Sequence, residues 1–187
     1  MDMESKKEMR DRFLKARDDL TPEEIWRCSE MICDTIAGTN VYEKAKNICL
    51  YMPIRNEVDV TFMEKQARKD GKTLWIPKVE GADIIFYRWD EGMAMTTGPF
   101  GIREPDRTGS PRLTEKMAAL VIMPGAVFSE KRDRIGYGGG YYDTFLAGRE
   151  NDDTIAVCYD FQIVEHIPAE THDIRPDMVV SEKRMIR

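Results

Sequence analysis

The chain has 187 residues, enough to bury a sizeable core and suited to one domain spanning 1–187. Hydrophobic residues make up 42% and charged residues 33%, an ordinary globular balance, and no apolar run approaches the roughly 20 residues that span a bilayer. A net charge of −6 argues against a nucleic-acid or anionic-membrane binder, and the charged first residues argue against a secretory signal, so a cytoplasmic protein is expected.

Met9, Phe13 and Ala16 recur at helical spacing and predict an amphipathic helix over 5–19. Thr21-Pro22-Glu23-Glu24 predicts a second helix opened by a capping box, with Ile25, Ile32 and Ile36 on its buried stripe and Gly38 at its end. Residues 47–52 read as a buried strand stopped by Pro53. Thr61 with Glu64 predicts another capping box, and Gly71 the end of that helix. Strands follow at 73–76 and 84–89, a turn-rich stretch at 90–113, a fully apolar strand at 118–123, a helix at 140–147, and strands at 154–159 and 178–180. Apolar strands alternating with helices predict an α/β fold with a mainly parallel sheet covered on both faces. Ligands of such folds sit at the carboxyl ends of strands, which singles out the loops at 53–60, 124–139 and 160–177.

Cys28, Cys33, Cys49 and Cys158 show no Cys-x-x-Cys spacing, and His166 and His172 are the only histidines, so a zinc site is not expected. Cys49 and Cys158 lie in apolar runs and read as small buried hydrophobes.

The segment Arg132-Asp-Arg-Ile-Gly-Tyr-Gly-Gly-Gly-Tyr-Tyr-Asp143 carries the chemistry. Glycines at 136, 138, 139 and 140 let backbone N–H groups approach an anion, and the helix start behind them adds free N–H groups. Arg132 and Arg134 can fork onto a phosphate, and Asp143 can meet a Mg²⁺ carried by a nucleotide. The alternative is a surface turn, but it is neither a Walker loop nor a dinucleotide fingerprint. Lys6 and Arg10, four apart, share a helix face that can be a solvated basic face or part of a site. Glu57 sits in a polar loop past a strand end, where a surface acid is the plain reading. Phe100 is either core or a stacking platform. No serine stands in a nucleophile-elbow setting, so a Ser-His-Asp triad is not supported, and His172 reads as structural.

These residues resemble the 5-formyltetrahydrofolate cyclo-ligase (methenyltetrahydrofolate synthetase) family. The resemblance runs over nearly the whole chain. It rests on Met123-Pro-Gly-Ala-Val-Phe128 and Arg134–Asp143, with Lys6-x-x-x-Arg10, Asn56-Glu-Val-Asp59, Phe100-Gly-Ile-Arg-Glu-Pro105, His172-Asp173 and Asp177–Glu182 in support. Ser129, Val60 and Gly139 depart from residues common in the family, which are aspartate, threonine and, in some members, lysine.

The resemblance implies a three-layer α/β/α sandwich similar to sugar-phosphate isomerases and CoA transferases. It implies an ATP- and Mg²⁺-dependent conversion of 5-formyltetrahydrofolate, with or without a polyglutamate tail, to 5,10-methenyltetrahydrofolate by a monomer. Arg134 would be catalytic. Lys6, Arg10, Arg134, Gly136, Tyr137, Gly138, Gly139, Gly140, Tyr141 and Tyr142 would contact ATP. Met52, Glu57, Phe100 and Tyr137 to Tyr141 would contact the folate, and Asp143 and Asp177 the metal. Two rivals stay open: another phosphate-using enzyme of the same fold, and a non-catalytic folate or nucleotide sensor.

Overall fold

The computed structural model describes residues 4–98, 101–106, 110–168, 170 and 173–187. Ser5 and Glu8 close a capping box on α1 (Lys6–Asp18), and Thr21 and Glu24 close one on α2 (Pro22–Ala37), the second as the sequence predicts. Thr39 caps a short α3 (Asn40–Lys44). Strand β1 (Asn47–Cys49) is shorter than the apolar run around it. Leu50 still donates to the Trp75 carbonyl (2.8 Å), and the chain then leaves the ladder.

The capping box expected at Thr61 and Glu64 is not formed. Asp59 accepts the Thr61 N–H (3.0 Å) and hydroxyl instead and opens a 3₁₀ turn, Val60–Phe62, from which α4 (Met63–Lys69) starts with no side-chain cap. A two-residue Asx bond outcompetes the longer reciprocal one here.

Strands β2 (Thr73–Glu80) and β3 (Asp83–Arg88) form an antiparallel hairpin. The turn-rich stretch holds a second hairpin, β4 (Met95–Thr97) and β5 (Arg103–Pro105). The chain continues through β6 (Leu120–Met123), β7 (Val127–Ser129), β8 (Arg134–Ile135), α5 (Tyr141–Leu146) and β9 (Asp153–Val157). A 3₁₀ turn (Asp160–Gln162), β10 (Ile163–Val164), β11 (Met178–Val180) and β12 (Met185–Ile186) complete it.

The main sheet runs β12-β11-β9-β6-β1-β2-β3. Its inner pairings are parallel, while β3 and β12 are antiparallel edges. Successive residues of a strand face opposite sides, so a strand covered on both must be apolar throughout. Leu120 and Ile122 join Ile32 and Ile36 of α2 and Ala67 of α4 on one face. Val121 and Met123 join Phe128, Leu146 of α5 and Ile163 on the other. That is the α/β/α layering expected.

Helix α1 does not lie on this sheet. Met9, Phe13 and Leu14 pack on Ala126, Val127 and Ile135 of a small sheet ordered β10-β7-β8. Ala16 faces solvent, and the buried stripe runs through Arg17 instead.

Gly125, between β6 and β7, gives a test of this packing. A Cβ there would lie 2.4 Å from Phe128 Cζ, and Phe128 is fully buried. Gly125→Ala is expected to destabilise by about 1–3 kcal/mol, the usual overpacking range. For this chain length that lowers Tm by roughly 2–12 °C. A melting curve superimposable on the wild type would show that the ring gives way freely.

The chain order makes one place special. From β1 the sheet grows through β2 to one side, then returns to the other side with β6, β9 and β11. The strand order therefore reverses between β1 and β6, and an open α/β sheet has its ligand crevice outside the carboxyl ends of the strands at such a switch point. The two loops leaving those ends are 50–59 and 124–140.

Candidate active site

A cavity of about 780 Å³ opens at that switch point. Tyr51, Met52 and Glu57 come from the loop after β1, and Arg134 with Gly136–Asp143 from the segment after β6 and the β7–β8 hairpin. Lys6 and Arg10 of α1 and Asp173 line it as well. The shared helix face of Lys6 and Arg10 is therefore a cavity wall. Phe100 and His172 lie outside the described residues.

At one end is the glycine-rich loop. Gly138 (φ 96°) and Gly140 (φ 65°) take the left-handed conformation that favours glycine. A Cβ on Gly139 would lie 2.7 Å from the Tyr141 ring, and one on Gly136 would lie 2.9 Å from Arg134 Nη1. Position 139 therefore has no room for a side chain without moving Tyr141. Arg10 Nε donates to the Gly136 carbonyl (2.7 Å) and holds the loop against α1.

Arg134 is buried. Its Nη2 donates to both oxygens of Asp143 (3.1 and 3.0 Å) and Nη1 to the Pro124 carbonyl (3.4 Å), while Nε is buried with no partner. Asp143 Oδ1 also accepts the Ile174 N–H (3.0 Å). Helix α5 has no side-chain cap bond, and Asp143 in its first turn lines the cavity. Lys6 Nζ donates to Asp173 (2.7 Å) and sits 3.2 Å from Glu170. Burial alone would lower its pKa, but these two carboxylates hold it above the ordinary lysine range.

The other end carries Glu57, 5% exposed. Its Oε2 accepts the Ile54 N–H (2.9 Å), its Oε1 accepts the Tyr137 hydroxyl, and Arg17 Nη1 stands 4.0 Å away. Burial raises its pKa above the usual carboxylate value, opposed by Arg17 and by the Tyr137 and Ile54 donors. Tyr137 and Tyr142 are pushed up too, by burial first and by the nearby Glu57 charge. The Tyr142 hydroxyl is buried with no partner.

Asp177 is not brought to the cavity. Its Oδ2 accepts the Thr154 N–H (2.8 Å) and hydroxyl (2.7 Å) and ties the start of β11 to the start of β9. The expected Asp143–Asp177 metal pair is therefore not assembled, because the chain between 173 and 177 carries Asp177 away from the point where Asp173 meets Lys6. Arg132, expected to flank the loop, donates to the Asp177 carbonyl (2.7 Å) at the β7–β8 turn and does not line the cavity. Among the described residues no group of three or more His, Cys, Asp or Glu can hold a metal ion, and no helix is long and apolar enough to cross a membrane. The cavity lining includes no cysteine or histidine among the described residues, and the four free thiols are all buried.

Sequence reasoning missed Arg17. It is 1% exposed and touches both loops of the site. Its spacing of four from Phe13 on the α1 stripe was the available signal.

A mainly parallel α/β sheet with a cavity at its switch point, a glycine loop and buried arginine at one end and a buried carboxylate at the other, defines a small-molecule site. Comparison makes the class specific. The model of the 5-formyltetrahydrofolate cyclo-ligase family matches residues 2–182, and the chain belongs to that family. Its fold is similar to that of Aquifex aeolicus 5,10-methenyltetrahydrofolate synthetase, with TM-score 0.86 and 36% identity over 97% of this chain and 92% of that one. A Mycoplasma pneumoniae 5,10-methenyltetrahydrofolate synthetase has the same fold at TM-score 0.78 and 23% identity, covering 96% of this chain and 99% of that one. A probable 5-formyltetrahydrofolate cyclo-ligase of Schizosaccharomyces pombe is 29% identical over 172 residues, 83% of this chain and 84% of the relative.

Proposed function

We propose that this enzyme converts 5-formyltetrahydrofolate to 5,10-methenyltetrahydrofolate, with ATP going to ADP and phosphate. One observation carries the reading. A single cavity joins a glycine loop backed by a buried arginine to a buried carboxylate on an apolar wall. The first suits polyphosphate and the second suits the N–H groups of a pterin.

A formamide oxygen is a poor leaving group. Transfer of the γ-phosphoryl group to that oxygen gives an iminium phosphate. The 10-nitrogen attacks its carbon, and phosphate leaves with the former formyl oxygen. Such a reaction asks the protein to position two substrates and neutralise charge, with no side-chain nucleophile, which fits the groups that line the cavity. Lys6, Arg10, Arg134 and the loop N–H groups would hold the phosphates. Met52, Glu57 and Tyr137 would hold the folate.

Mg²⁺ would arrive on the nucleotide and meet Asp143, the carboxylate next to the loop. It would neutralise phosphate charge there. One cavity carboxylate already engaged by Arg134 suits an ion that keeps its waters and phosphate oxygens, and Asp173 stands beside Ile174, whose N–H Asp143 accepts. Asp143→Asn is therefore expected to weaken activation by Mg²⁺, with excess Mg²⁺ restoring part of the rate. An unchanged Mg²⁺ dependence removes Asp143 from the metal's partners.

Titration calorimetry with ATP and 5-formyltetrahydrofolate, run beside absorbance detection of the methenyl product, tests the whole reading. Binding without product would make the protein a sensor. Binding of ATP alone would point to another phosphate-using reaction.

A further inference from the structure

Arg17 is a buried cation of this molecule that phosphate chemistry does not use. The apolar stripe of α1 seats the helix on the small sheet, and the next position on that stripe carries the guanidinium beneath two loops at once. Nε donates to the Arg55 carbonyl (2.8 Å) and Nη2 to the Tyr137 hydroxyl (2.5 Å), and the guanidinium carbon lies 5.6 Å from the Tyr137 ring centre. The end of the same helix takes a further bond, from Asn56 Nδ2 to the Arg17 carbonyl (3.3 Å).

We propose that Arg17 is a positioning residue for the folate end of the cavity, locking the 53–57 loop to the glycine-rich loop so that Glu57 and Tyr137 are set before substrate arrives.

Backbone geometry supports this. Arg55 (φ 46°) and Asn56 (φ 56°) are consecutive non-glycine residues in the left-handed region, a conformation that persists only where its surroundings over-determine it. Those surroundings are the Arg17 bond to the Arg55 carbonyl, the Asn56 bonds to α1, and the Tyr159 hydroxyl on the Asn56 carbonyl (3.1 Å). The strained turn delivers Glu57 to the cavity wall. Charge supports it as well. A carboxylate this buried needs a partner, and Arg17 is the positive charge that faces it. Tyr51, Tyr137, Tyr142 and Tyr159 are the other titratable groups around Glu57, and burial pushes all four up, so they stay neutral.

This inference rests on the reading that the Glu57 end receives the pterin, and the experiment separates the two. Wild type, Arg17→Met and Arg17→Lys are compared for the folate KM, the ATP KM and the pH dependence of kcat/KM. Arg17→Met is expected to raise the folate KM at least about tenfold, from lost charge-assisted bonds, while the ATP KM stays within about twofold. The acid limb should also move to higher pH. Glu57 must be ionised to accept from the pterin, that form is lost as pH falls through its pKa, and removing the cation raises that pKa further. Arg17→Lys keeps the charge without the fork, so it should keep the acid limb and still raise the folate KM.

If the wild type makes no methenyl product, the underlying reading fails. If it turns over, and Arg17→Met raises both KM values equally with the acid limb unmoved, Arg17 is a structural arginine and the proposal is overturned. Should Arg17→Met not fold, the lysine variant decides alone, and kinetics identical to wild type would overturn the proposal.

Discussion

Arg134→Ala is expected to cut methenyl product formation about 10- to 100-fold if one charge-assisted bond to phosphate of roughly 1.5–3 kcal/mol is lost, and by more than about 100-fold if two are lost. The guanidinium is buried against the glycine loop, with its unpartnered Nε enclosed there. Its removal does more than delete a donor. Asp143, which it neutralises through both oxygens, would face the incoming phosphates as an uncompensated anion. The double variant Arg134→Ala/Asp143→Asn separates these effects. If Arg134 only masks Asp143, the double variant in excess Mg²⁺ turns over as fast as Asp143→Asn alone. If Arg134 clamps phosphate, recovery is small and the two changes couple. Near-native turnover in Arg134→Ala would end the assignment.

Glu57→Gln is expected to raise the folate KM roughly 10- to 100-fold and leave the ATP KM nearly unchanged, the size expected when a charged acceptor of two hydrogen bonds becomes a neutral one. The side chain keeps its shape. Its oxygens already accept from Tyr137 and Ile54, and each still has a lone pair for the ligand. Glutamine puts an NH₂ where one of those acceptors stood, so it must either lose the Tyr137 or Ile54 donor or turn a donor toward the pterin. Steady-state kinetics with each substrate varied in turn reads the split. Equal effects on both KM values would mean that Glu57 acts through the fold.

Local signals were legible where a single short-range interaction dominates. The Thr21–Glu24 box formed because nothing nearby competes, whereas the same pattern at Thr61–Glu64 lost to Asp59, two residues upstream. Apolar runs marked the buried strands, because strands covered on both faces carry no polar alternation. The β4–β5 and β7–β8 hairpins stayed hidden, since strands of two or three residues are too short to show a period. In the site, the glycine loop and Asp143 stood out by residue type and position, whereas Lys6, Arg10 and Glu57 read as plain surface charges and only the family resemblance drew them to the site. Arg17 was masked: its place on the Phe13 stripe is outweighed by its type, because a basic residue in the last turn of a helix reads as a solvated partner of the helix dipole. Nor was it visible that Asp173 reaches the cavity while Asp177 anchors a strand. That choice is made by where the chain turns in three dimensions.

The hydrogen bond between Lys6 and Asp173 joins residues 167 positions apart. At ordinary rates of synthesis, roughly 5–20 residues per second, the first helix is made about 8 to 33 s before its ionic partner exists. Its apolar stripe waits most of that time too, because the strands it covers, around 126–135, belong to the later half of the chain. A nascent chain therefore carries an unburied amphipathic helix while the first strands of the main sheet are already available to pair. The substrate cavity is among the last parts to close, so no ligand can assist folding until nearly all of the protein has been made.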